Sequence, residues 1–238
     1  MTAVSVSSTL AVELADLEAV EYDVYRDIHK GIRGELFAVV SEAGRVDPAG
    51  QEGVEAVGAH WRSIVELLIS HAEHEDGYAQ PLIEAHLPEL AAKIAYDHPR
   101  LEQQMATLEV VADRAANAVG EARRIAVHRL YLGLASFTSD YLAHQAVEEL
   151  DVMPGLAKVI GVPELIALNQ EIVASIPPEQ MVKTLPLMMQ QMNVDDRTEL
   201  LFGMKMGAPP EVFAGLSGVV RDALAPEDWD PVAARLAI

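Results

Sequence analysis

The sequence predicts an all-α protein: an up-down-up-down four-helix bundle over residues 1–160, then a C-terminal region of short helices over residues 161–238. Three observations carry this. Half of the 238 residues are hydrophobic but only 5% are aromatic, and Ala, Leu and Val dominate, which suits helix-on-helix packing better than a β-sandwich. Apolar residues recur at helical spacing in four long runs. Short connections rich in Gly and Pro separate those runs, as antiparallel bundle helices require.

The first helix is expected to start near Ser7-Ser8-Thr9, a plausible cap, with Glu13, Asp16, Glu18 and Glu21 favouring its early turns. It would run to Val40 and end in the turn-rich stretch 42–50. The second begins near Gln51 and carries Val54, Val57, Trp61, Ile64, Leu68 and His71 on one face. It passes or breaks at Pro81 and is finished by His86-Leu-Pro88. The third spans about 89–118, with a kink or a true start at Asp97-His98-Pro99, because the residue before proline resists the α conformation. Gly120 opens the fourth, about 121–153, which would close at Met-Pro-Gly of 153–155. The remainder is punctuated by Pro177-Pro178, Pro186, Pro209-Pro210 and Pro226, with helix starts at Asp195-Asp196 and Pro226-Glu-Asp. Six of the nine methionines fall between Met181 and Met206, where methionine serves as adaptable filler for a small core or a subunit interface. The tail therefore packs on the bundle or mediates a homodimer.

Composition narrows the function. There is no cysteine, which excludes disulfides, zinc–thiolate sites and iron–sulfur clusters and suits a reducing, cytoplasmic compartment. A net charge of −20 argues against nucleic acid or an anionic membrane as partner and offers many oxygen ligands to cations. No apolar run reaches the roughly 18 residues of a membrane span. No basic n-region followed by an apolar stretch marks the N-terminus as a leader.

Within this frame one motif occurs twice. His71-Ala-Glu-His-Glu75 is followed six residues after the glutamate by Pro81, and His144-Gln-Ala-Val-Glu148 is followed at the same distance by Pro154. On a helix, i and i+4 lie one above the other, so each copy aims an imidazole and a carboxylate at one point. With the second and fourth helices parallel and the third opposite, His71, His98 and His144 fall towards the same end. His29 is the one histidine of the first helix, though nearer its middle.

Two carboxylates buried side by side repel, and buried glutamates without a cation are costly. Two divalent cations relieve both problems, with each carboxylate bridging and the histidines capping. Imidazole with carboxylate suits iron or manganese, and inward Glu and His on bundle helices is a di-metal arrangement. Six protein ligands leave coordination positions for a bridging oxygen and a small exogenous molecule. Other residues are ambiguous. Glu102, four after His98, is a ligand, an acceptor for an imidazole N–H, or a solvated acid. Tyr25, one turn before His29, and Tyr78, seven after His71, either face a metal-bound oxygen or pack as ordinary amphipathic residues. His74 is an alternative ligand, while His60, His86 and His128 read as surface or satisfied core residues. A His-x3-Glu pair is also a common helix-surface contact.

The order His29, His71-x3-Glu75, His98, His144-x3-Glu148 resembles the hemerythrin-like, or HHE cation-binding, domain over roughly residues 15–160. The resemblance implies a non-heme di-iron centre, two ferrous or ferric ions bridged by an oxo or hydroxo group, with manganese as the alternative. Glu75 and Glu148 would bridge, and the four histidines would be terminal. Oxygen-carrying members have a second histidine where this chain has Glu102, and their last acid lies five residues after its histidine. Both departures point towards bacterial members linked to iron-centre repair, nitric oxide or peroxide stress. The expected function is a redox enzyme acting on O₂, peroxide or NO, or on a small organic substrate. The other class is a protein that binds, stores or senses O₂ or iron without turnover. No nucleotide, flavin or heme motif is visible, so electrons would come from elsewhere.

Overall fold

Asp23 sets the start of the first helix, accepting from the backbone N–H groups of Tyr25 and Arg26 at 2.9 and 3.1 Å. The computed structural model describes residues 20–238, and among these every regular element is a helix. The expected cap at Ser7-Ser8-Thr9 and the acids Glu13, Asp16 and Glu18 lie outside the described residues. In chain order the helices are α1 (Arg26–Arg45), α2 (Gln51–His74), α3 (Gln80–His86), α4 (Pro88–Asn117), α5 (Gly120–Val147) and α6 (Met153–Ile160). They continue as α7 (Val162–Ser175), α8 (Pro178–Gln191), α9 (Val194–Gly207), α10 (Pro210–Ala223) and α11 (Pro226–Leu236).

Two π-helical turns, Glu75–Ala79 and Glu148–Val152, join α2 to α3 and α5 to α6. In each, the backbone N–H five residues on returns to the glutamate carbonyl: Gln80 to Glu75, and Met153 to Glu148. The repeated proline now has a physical reading. Pro81 and Pro154 each occupy the second position of the following helix, where no backbone donor is needed. Their rings disfavour an uninterrupted α register through the preceding turn, and the wider turn accommodates them. The fourth helical run therefore does not close at residues 153–155 but continues to Ile160 and stops at Gly161, whose φ is 80°. Likewise α4 runs unbroken through Pro99, so residues 97–99 are not a helix start.

The described chain divides into two compact units, one of residues up to Arg26 with Leu36–Ala174, the other of Asp27–Glu35 with Ser175–Ile238. In the first, polar pairs tie helices together. Glu42, late in α1, meets His60 of α2 at 2.7 Å. Arg62 of α2 meets Asp113, late in α4, at 3.4 Å. Arg100, early in α4, meets Asp140, late in α5, at 3.3 Å. Gly133 lets α4 and α5 approach closely, because a Cβ there would stand 2.6 Å from Leu108 Cδ2. Trp61, fully buried, meets Phe137 edge-on at 5.1 Å, and Leu68, Leu130 and Leu134 are buried as well. A second apolar cluster, including Tyr25, Ala79, Ile83, Val152 and Met153, gathers around the π turns.

The second unit has its own core of Leu185, Met189, Met192, Leu201, Phe213 and Val220. Met189 and Met192 are buried filler here, whereas Met206 is exposed. Asn193 caps α9 by accepting from the N–H groups of Asp195 and Asp196, so the helix starts one step before the two acids. Buried Arg197 donates to Met189 O at 2.7 Å and to Asp228 Oδ1 at 2.6 Å. Lys30 pairs with Asp196, and Gly31 faces the Met188 backbone, which a Cβ would meet at 3.2 Å.

Candidate metal centre

Each glutamate of the repeated motif sits where its helix gives way to a π turn, and both are buried. His71 Nε2 lies 3.0 Å from Glu75 Oε1, and His144 Nε2 lies 3.1 Å from Glu148 Oε1. The other oxygen of Glu75 faces α4, with His98 Nε2 at 3.5 Å. The His98 and His144 rings stand edge to face, 5.0 Å between centroids.

Four buried side chains, Glu75, His98, His144 and Glu148, thus offer ligand atoms that all lie within 4.8 Å of one another. His71 stands beside this set with its Nε2 on Glu75, so Glu75 faces imidazoles on two helices. His29 is fully buried on α1 and falls within the second unit.

The remaining candidates fall elsewhere. Glu102 is exposed and lies outside this set. A step of four residues turns a helix by about 40° beyond a full turn. On α2 and α5 that step carries the glutamate into the buried stripe of Leu68 and Ile64, or of Leu130 and Tyr141. On α4 the stripe is centred near Leu101 and Met105, with His98 at the edge towards which the same rotation runs, so Glu102 is turned out to solvent. His74 turns back along its own helix, with Nδ1 on the Ser70 carbonyl, and its ring stacks on Tyr78. Tyr78 is half-buried against the apolar cluster around the π turns. His60 is engaged with Glu42, and His86 and His128 are exposed.

Tyr25 is buried, and its phenol is pushed well above its usual value, first by burial and then by the charges of Glu75, Glu148 and Asp23. Tyr141 behaves alike, raised by burial and then by Glu75 and Glu148. It lies three residues before His144, 5.8 Å away between ring centroids. Sequence reasoning passed over Tyr141, although the same one-turn offset that singled out Tyr25 would have found it. It also passed over Asp76 and Asp97, which approach His98 and His144 from neighbouring helices.

Do these residues suit a cation? Burial alone would lower the His98 pKa, but contacts with Glu75 and then Asp76 outweigh it and raise it to about 9. A positive charge is therefore favoured at this point. His98 Nε2 is buried among the carboxylates without a hydrogen-bond partner, as a ligand nitrogen would be. The donor set is carboxylate and imidazole without thiolate, which fits iron or manganese. No helix among the described residues is long and apolar enough to cross a membrane.

An all-helical chain with a buried His/Glu cluster able to hold metal defines the class of protein. Residues 20–156 match the model of the hemerythrin HHE cation-binding domain, and the chain belongs to that family. No curated protein and no solved structure gave a match.

Proposed function

We propose that this chain holds two iron ions within an up-down-up-down four-helix bundle formed by α1, α2, α4 and α5, and that it acts as an oxidoreductase on O₂, peroxide or NO. The observation that carries the pair of ions is the shared carboxylate. Glu75 directs one oxygen towards His71 and the other towards His98. Glu148 and His144 complete the buried set, and buried His29 is the remaining terminal ligand of this reading. Iron in this setting would supply exchange of electrons with a small oxygen- or nitrogen-containing molecule.

The protein's own groups support small reactants. His71 is partly buried and the other ligands are buried, and neither of two surface clefts, about 200 Å³ beside Gln80 and about 330 Å³ beside Tyr131, is lined by any of them. Diatomic molecules and peroxide suit such a site better than an organic substrate. The Tyr25 and Tyr141 phenols keep their protons at neutral pH, so each retains an O–H near the carboxylates. A reducing compartment such as the cytoplasm would keep iron ferrous for loading.

The second reading is an O₂ or iron carrier or sensor without turnover. Its support is Glu102, whose exposure withholds the third carboxylate that would favour ferric iron. Both are tested by iron analysis of anaerobically purified protein, followed by optical titration with O₂ and peroxide. Two irons per chain and irreversible oxidation, or consumption of peroxide, support the enzyme. A spectrum that reverses on degassing selects the carrier or sensor. No stoichiometric metal after ferrous reconstitution overturns both.

A further inference from the structure

We propose that Asp76 and Asp97 are positioning residues of the metal centre, each holding the Nδ1–H of an imidazole on the next helix so that its Nε2 faces the carboxylates. The inference rests on reading the cluster as a cation site and names the residues that orient it.

The two acids occupy related places. Asp76 directly follows Glu75 and reaches across to His98 on α4, with Oδ1 2.8 Å from His98 Nδ1. Asp97 directly precedes His98 and faces His144 on α5, with Oδ2 3.8 Å from His144 Nδ1. Each acid thus neighbours a ligand on its own segment and serves an imidazole on another. A neutral imidazole that donates from Nδ1 keeps its lone pair on Nε2. In His98 that nitrogen is the one 3.5 Å from Glu75, buried and without a hydrogen-bond partner.

The contacts differ in closure. Asp76 is already within hydrogen-bond distance of His98. Asp97 is about 1 Å too far from His144, whose Nδ1 is buried without a hydrogen-bond partner. His144 Nε2 stands 3.1 Å from Glu148 Oε1. A cation held at His144 Nε2 would leave the ring proton on Nδ1, for which Asp97 would be the acceptor. Asp97 is held for the purpose: it is buried, with Arg100 at 3.2 Å and Lys93 at 3.6 Å, and Arg100 is tied in turn to Asp140 of α5. A carboxylate behind a ligating imidazole fixes the tautomer and ring orientation and strengthens the ligand.

The test uses the full chain as wild type, Asp76→Ala, Asp76→Asn, Asp97→Ala and Asp97→Asn, with Glu102→Ala as control. Each is loaded anaerobically with ferrous iron and titrated with a chromogenic ferrous chelator. Thermal melts by circular dichroism confirm that each variant is folded. The alanine variants are expected to bind iron about 10–100-fold more weakly. The asparagine variants should lose less, because the amide oxygen still accepts from Nδ1–H. Wild-type affinity in both alanine variants overturns the proposal. Imidazole ¹⁵N NMR of the metal-free protein, recorded above the His98 value of about 9 so that the ring is neutral, gives a second readout independent of iron. His98 should carry an Nδ1–H that Asp76→Ala abolishes or exposes to fast exchange. Wild-type His98 protonated on Nε2 alone overturns the Asp76 assignment. A wild type that binds no iron defeats the proposed function instead, and the NMR result still decides the Asp76 contact.

Discussion

Glu75 links the two halves of the site because its oxygens face different imidazoles, whereas the Glu148 pairing runs to His144. The two glutamates should therefore fail differently. Glu75→Ala removes the carboxylate that faces both His71 and His98 and is expected to abolish iron binding. Glu148→Ala leaves the pairing of His71 with Glu75 and is expected to retain up to one iron per chain. A colorimetric iron assay on the two variants checks this, and equal retention of iron in both would count against a shared Glu75. Glu102→Gln should leave the iron content unchanged and shift stability by no more than about 0.5 kcal/mol, as for an ordinary surface residue. These residues also show what the sequence could reveal. The His-x3-Glu pairs are local, so spacing alone places each pair on one face. Glu102 has the same spacing, and only the position of His98 within the apolar stripe of α4 tells that the rotation runs outward. Asp76 and Asp97 were hidden for a different reason: their partners lie on other helices, and contacts across helices leave no periodicity.

At the scale of elements, the π turns explain why the prolines share a register with the glutamates. Helix existence and order were legible, since apolar periodicity over 20–30 residues is a strong signal. The extra residue accommodated in each turn was not, because a proline can end a helix as readily as it can follow a wider turn. Pro154→Ala tests which matters here. A proline compatible with the native backbone stabilises chiefly by restricting the unfolded chain, so its loss should cost about 0.4–1 kcal/mol in urea unfolding. The same change removes an obstacle to a regular α register beneath Glu148, and iron should then be lost more readily to a chelator. Unaltered iron affinity would mean that the turn is held by the surrounding core rather than by the proline. Gly120 makes a contrasting case at the α4–α5 connection. Its φ is 53°, and a Cβ there would meet nothing within 4 Å. Gly120→Ala should therefore cost about 1–2 kcal/mol of backbone strain alone, with iron binding untouched.

For the whole molecule, the balance between a costly buried site and its cation decides stability. A cluster with two buried carboxylates is expensive without a counter-charge, and the proton favoured at His98 offsets only part of it. The net charge of −20 adds self-repulsion and at the same time draws cations to the surface. Iron should consequently both stabilise the fold and load faster at low ionic strength, where the acidic field is least screened. An ion that binds only the folded chain contributes about 2.7 kcal/mol when its free concentration is a hundred times its dissociation constant. For 150–250 residues, each kcal/mol raises the melting temperature by about 2–4 °C, so each ion loaded should raise it by roughly 5–10 °C. Scanning calorimetry of chelated and reconstituted protein, both kept anaerobic, measures the shift. Glu75→Ala supplies the control: having lost the shared ligand, it should melt at the same temperature with or without iron. A comparable rise in that variant would show that iron stabilises the chain through its acidic surface and not through the buried cluster.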